Sequence, residues 1–129
     1  MTDTKEVTAE YKFTGDVDSN QTIVVHNGTT RKNKVVVELK APGSEDLAIT
    51  VEARQLFLVS HLISGAVSSG RDIEAEIKGD KGDIVKVSYK VNPGRSDKTL
   101  LVGGVEVATD SEAQDIATLF YMAPEVLAQ

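Results

Sequence analysis

The sequence predicts an α+β protein that is mainly β: an antiparallel meander sheet with a C-terminal helix. Three observations carry this reading. Apolar and polar residues alternate with a period of two along most of the chain. Turn-forming residues separate the alternating runs at short intervals. One stretch after Val107 changes to a helical period.

In order, "EVTAEYKFT" puts Val7, Ala9, Tyr11 and Phe13 on one face and Glu6, Thr8, Glu10 and Lys12 on the other. The run "TIVVH" follows and stops at Asn27-Gly28, a hairpin-type dipeptide. "KVVVELK" sets Val35, Val37 and Leu39 against Lys34, Val36, Glu38 and Lys40, and Pro42-Gly43 punctuates its end. "LAITVEAR" sets Leu47, Ile49, Val51 and Ala53 against Ala48, Thr50, Glu52 and Arg54. "RQLFLVSHLISGAVSSG" is apolar too continuously to fix a period, so a buried helix and a buried strand with a loop both fit. A helix over 55–65, ending near Gly65, is the preferred reading. "DIEAEIK" then alternates Ile73, Ala75 and Ile77 with Glu74, Glu76 and Lys78. After the turn "GDKG" (79–82), "DIVKVSYKV" alternates Val85, Val87, Tyr89 and Val91 with Lys86, Ser88 and Lys90. "NPG" (92–94) ends that strand, and "TLLVGGVEV" (99–107) reads as one more. Strands of this kind suit a sheet packed on one face and wet on the other.

The helix is signalled by Thr109 with Glu112, a capping-box spacing, and by Asp110 and Glu112 at its positive end. Ala113, Ile116, Ala117 and Phe120 make its apolar stripe. Pro124 predicts an end near Met122 or a restart as a short turn.

The 129 residues are expected to form a single domain, 1–129, with a modest core. There is no cysteine, which excludes disulfides and thiolate metal sites. No apolar run reaches membrane-spanning length, and the polar, acidic "MTDTKEVTAE" is unlike a signal or transit peptide. The chain is therefore expected in the cytoplasm or in a virion, without a membrane partner, and the sequons at Asn20 and Asn27 are expected to be idle.

Motifs that suggest chemistry fail on their surroundings. "YMAPEVL" matches a protein-kinase signature, but the Gly-rich loop, strand lysine, catalytic-loop aspartate and Asp-Phe-Gly are missing. "GAVSSGRD" (65–72) approaches a phosphate-binding loop, yet Arg71 and Asp72 stand where Lys and Ser/Thr are needed, so a surface loop is expected. "DVDSNQ" (16–21) opens like a calcium loop, but Gln21 replaces the turn glycine and Asn27 the bidentate Glu. His26 and His61 are the only imidazoles, and no nucleophile elbow accompanies them. The expectation is a protein that is not an enzyme and needs no cofactor or metal.

The net charge of −6 disfavours non-specific nucleic-acid binding. Basic residues nevertheless cluster locally, at Arg31, Lys32 and Lys34 and again at Lys86 and Lys90 beside Ser88. These six are the candidate contacts to RNA or single-stranded DNA. Tyr11, Phe13 and Tyr89 fall on the apolar strand faces, which favours core over base stacking.

A β-rich body followed by "VATDSEAQDIATLF" resembles, in the order of elements over most of the chain, the coat proteins of single-stranded RNA phages. That resemblance implies a homodimer with interlocked C-terminal helices, a building block of a viral capsid, with the joined sheets facing RNA. The acidic charge, the short C-terminal segment and the "LFLVSHLIS" insertion depart from the pattern. The functional expectation is a non-enzymatic structural protein that self-assembles. Ile116, Phe120, Met122, Val126 and Leu127 are its candidate self-association residues, because a stripe left unburied by a small core needs a partner. The alternative is an OB-type single-stranded nucleic-acid-binding module, with the strand–helix–strand order as its only support.

Overall fold

A computed structural model describes residues 6–15, 21–41, 46–91, 93–94 and 96–127. Strands β1 (Glu10–Thr14), β2 (Thr22–His26), β3 (Lys34–Lys40) and β4 (Leu47–Glu52) form one antiparallel sheet in the order β1-β2-β3-β4. Helix α1 (Ala53–Ser69) leads to a second antiparallel sheet. It consists of β5 (Ile73–Lys78), β6 (Ile84–Val91), β7 (Lys98–Val102) and β8 (Val105–Thr109), again in sequence order. A 3₁₀ turn (Asp110–Glu112), α2 (Ala113–Tyr121) and α3 (Ala123–Leu127) follow. The molecule is α+β and mainly β, as the alternation predicts.

One meander became two because the ambiguous stretch is helical. Its inward residues, Ala53, Leu56, Val59, Ser60, Ile63 and Ala66, recur every three or four positions and are buried. The helix runs through Gly65 rather than ending there, and stops at Gly70, whose φ of 70° is the left-handed cap geometry. Most of "GAVSSGRD" is thus a helix end and not a surface loop.

The strand faces follow the alternation. Val25 pairs with Tyr11 and with Val37, and Val37 with Ile49, so one register carries the inner face across the first sheet. Val87 pairs with Ala75 and with Val102 in the second. Both inner faces and the helices share a single apolar cluster, with Ile23, Val35, Leu56, Tyr89 and Phe120 almost fully enclosed. "TLLVGGVEV" is two strands, not one. Gly103 and Gly104 take φ of 62° and 84°, the pair of positive values that a two-residue primed turn requires.

The sheets are joined by named contacts. Asp80 N–H, in the β5–β6 turn, donates to the Thr50 carbonyl of β4 at 2.9 Å. The Gln55 amide of α1 serves the open edge of β5 in both senses. It donates to the Lys78 carbonyl at 2.6 Å and accepts from the Lys78 N–H at 2.9 Å.

At the C-terminal end the Thr109 side chain does not make its half of the capping box. Thr109 makes no side-chain cap hydrogen bond, and its hydroxyl lies 3.1 Å from that of Ser111. The box spacing is taken up by the 3₁₀ turn, so α2 starts only at Ala113. The chain does restart after Met122, with Pro124 in the first turn of α3, where a missing N–H is tolerated. The turn at Pro42-Gly43, the 16–20 part of the calcium-like loop, and Asn92 lie outside the described residues.

Candidate self-association surface

The basic residues proposed for nucleic acid are divided between the two sheets and partly engaged. Lys34 Nζ lies 2.7 Å from Asp80 Oδ1 and 3.6 Å from Glu52 Oε1, and Arg31 Nη1 lies 3.4 Å from Asp80 Oδ2. Two of the first three cations thus clamp the β5–β6 turn onto the first sheet, while Lys32 is exposed. The hydrogen bond to Asp80 raises the Lys34 pKa above the ordinary lysine value, with desolvation opposing. Lys86, Ser88 and Lys90 do share the outer face of β6, as alternation predicts. Their cross-strand partners on β5 are Glu76 opposite Lys86 and Glu74 opposite Ser88, so carboxylates alternate with the cations.

The apolar stripe expected to meet a partner is largely used internally. Ile116, Phe120 and Val126 are fully buried in the chain's own core. Between α1 and the sheets there is enough apolar surface to cover the stripe without a second chain, which corrects their assignment as self-association residues. Met122 is half-buried, and only Leu127 among the five is exposed.

His26 has a structural role. Its Nδ1 accepts from the Gly28 N–H at 2.9 Å and its Nε2 lies 2.8 Å from Glu38 Oε2, which fixes the proton on Nε2 in the neutral ring. Next to it, buried Asn27 accepts from the N–H groups of Thr8 and Ala9 and donates to the Thr8 hydroxyl, tethering the segment before β1. Among the described residues no group of three or more His, Asp or Glu side chains could hold a metal ion. No helix among them is long and apolar enough to cross a membrane.

Exposed apolar side chains occur at the ends of β6, at Ile84 and Val91, and on the outer side of the helical layer. Leu58 and Leu62 of α1 are 55% and 50% exposed, and Tyr121 of α2 is 52% exposed. The Phe57 ring sits 4.7 Å from that of His61, edge-on, and 5.0 Å from that of Tyr121. Phe57 also helps line a groove of about 590 Å³ with Ala53, Pro124 and Leu127 and the polar Asn33, Glu52 and Arg54. Within α1 the only charged residue is Arg54. The α2 residues bordering His61, namely Gln114, Thr118 and Tyr121, are uncharged as well. Single exposed leucines are ordinary on a soluble surface; two on one face of a helix that also carries the Phe57–Tyr121 ring contact are less so.

Sequence reasoning missed this surface because it took 55–65 as a buried element and 65–72 as a surface loop. A signal was present. Arg54, Leu58, His61, Gly65 and Ser68 are spaced four, three, four and three, and all are exposed on one side of the helix.

Comparison with known proteins leaves the coat-protein resemblance resting on the order of elements alone: no family model, no curated protein and no solved structure matches this chain.

Proposed function

We propose that this protein is a non-enzymatic structural unit that associates with copies of itself through the outer face of its helical layer. The observation that carries the reading is the pairing of Leu58 and Leu62, both about half exposed, on a helix with one charged residue in its whole length. A monomer gains nothing from leucines there, whereas a second copy removes them from water at about 25 cal/mol per Å². The net charge of −6 lies outside this face, so like charges on two copies need not meet at the contact. The larger assembly, of the coat type that the element order resembles, would need a second set of contacts. The outermost strands, β1 and β8, supply the edges for it.

The nucleic-acid reading draws less support. Arg31 and Lys34 are occupied by Asp80, and Lys86 faces Glu76 across the β5–β6 pair. Two separate four-stranded meanders are also not the single barrel that an OB-type module needs.

Sedimentation velocity over a hundredfold range of protein concentration tests the reading. A dimer or larger species that dissociates on dilution is expected. A monomer at every concentration would sink the proposal.

A further inference from the structure

The same face has a shape that selects how two copies meet. Gly65 lies on the exposed stripe in ordinary helical geometry, and a methyl group added there would touch nothing within 4 Å. A mid-helix glycine weakens a helix relative to alanine. In the isolated chain this position offers no packing in return. It leaves a shallow hole in the stripe, bordered by His61, Leu62 and Ser69, one heptad beyond the exposed Leu58.

Charge is confined to the two ends of α1. The first turn carries Glu52 at the cap and Arg54 just inside it, both exposed. The far end carries Arg71 and Asp72, also exposed, with Arg71 bonded to the Ser69 hydroxyl and Asp72 paired with Lys98. Between the two ends the stripe has no charge. Each end thus carries one acid and one base, and both acids are engaged within the chain, Glu52 by Lys34 and Asp72 by Lys98. Helix polarity is set instead by the dipoles, which an antiparallel pair opposes and a parallel pair aligns.

Resting on the self-association reading, we infer that two copies pair antiparallel along α1 about a two-fold axis near His61 and Leu62. Leu58 of each copy then fills the hole over Gly65 of the other. The arrangement is isologous, as a closed dimer requires: Leu58 meets Gly65 and Gly65 meets Leu58. A helix pair that meets over glycine can approach to about 8 Å between axes, the short end of the usual range.

The absence of native cysteine makes disulfide mapping direct. Under mild oxidation, Leu62→Cys or His61→Cys alone should cross-link to itself, because both lie beside the axis. Leu58→Cys alone should not. In the antiparallel pair the two copies of position 58 are offset by seven residues, about 10 Å at 1.5 Å per residue. That exceeds the roughly 7 Å limit for Cα atoms in a disulfide. An equimolar mixture of the Leu58→Cys and Gly65→Cys proteins should give the mixed dimer as its main product. Gly65→Leu, which fills the hole, should weaken dimerisation at least tenfold in sedimentation equilibrium while the far-ultraviolet circular dichroism of the chain is kept.

The failures are separable. A monomer by sedimentation overturns the reading and this geometry together. A dimer in which Leu58→Cys links readily to itself, or in which the 58/65 mixture does not link, overturns the antiparallel pairing and leaves self-association standing on another surface. A monomer whose Leu58 and Leu62 drive flotation with neutral phosphatidylcholine vesicles would assign the face to lipid and overturn both.

Discussion

The Asp80 carboxylate, in a turn of the second sheet, lies 2.7 Å from the Lys34 ammonium at the start of β3 in the first. Arg31 approaches the same carboxylate at 3.4 Å. One acidic side chain, with its own N–H bonded to the Thr50 carbonyl, therefore holds the two sheets in register with each other.

Asp80→Asn should destabilise the protein by about 1 kcal/mol, the upper end for a partly exposed ion pair, as read from urea denaturation at neutral pH. The sign of the pH dependence follows from Lys34, whose folded pKa is raised above its ordinary 10.5 by Asp80. The contribution of the pair is complete below that value and is lost as pH rises through the folded pKa. The stability difference between wild type and variant should therefore shrink above about pH 10.5. A difference that stays constant through pH 12 would remove Lys34 from the explanation.

Tyr89 is almost wholly buried, and its hydroxyl donates to the Asp110 carboxylate. Burial, then that hydrogen bond, push its phenol up to about 12. The neutral phenol is the form the fold prefers. Its stabilising effect is complete below the ordinary value of 10.0 and is lost as pH rises from there towards 12. In a phenolate absorbance titration, one of the three tyrosines should ionise only as the fold is lost. Tyr89→Phe should cost about 1 kcal/mol at pH 7. It should also flatten the fall in stability between pH 10 and 12.

The Gln55 side chain satisfies both backbone groups of Lys78 at the edge of β5. Gln55→Ala should cost about 1–2 kcal/mol, the yield of two partly exposed hydrogen bonds. Gln55→Glu should do no better, since a carboxylate oxygen would then face the Lys78 carbonyl. Faster exchange of the Lys78 amide hydrogen is the local readout.

Gly28 is required by its neighbour. A methyl group there would come within 2.6 Å of His26 Cε1 and 2.7 Å of Nδ1. Gly28→Ala should displace the imidazole and break both its contact with Glu38 and its bond from the Gly28 N–H, costing about 1–3 kcal/mol. In the double variant His26→Ala/Gly28→Ala the two losses should be clearly less than additive, a coupling that a thermodynamic cycle measures.

Much of the sheet architecture was legible because alternation reports the strand face directly. Val35, Val37 and Leu39 were placed inward by pattern alone, and they are buried. The break between two sheets was hidden in a segment whose apolar residues serve both the core and the outer stripe, so neither period stood out. Gly103-Gly104 was readable as a turn, but the apolar residues on both sides of it suggested one unbroken strand. The candidate surface was misread for a related reason. Ile116 and Phe120 make a clear helical stripe, but periodicity cannot say whether the surface that covers it belongs to the same chain. The salt links of Arg31 and Lys34 to Asp80 join positions 49 and 46 residues apart, and no local pattern announces them.

The placement of α2 and α3 has a consequence for biosynthesis. They pack against β1, β2 and β3, and Glu125 accepts a hydrogen bond from the Tyr11 hydroxyl across 114 positions of sequence. A chain emerging from the ribosome would thus present Ile23, Val25 and Val37 with their lid still untranslated. Nascent β1–β4 is then the sticky stage, and ribosome-stalled chains ending before Ala113 should be the ones that chaperones hold.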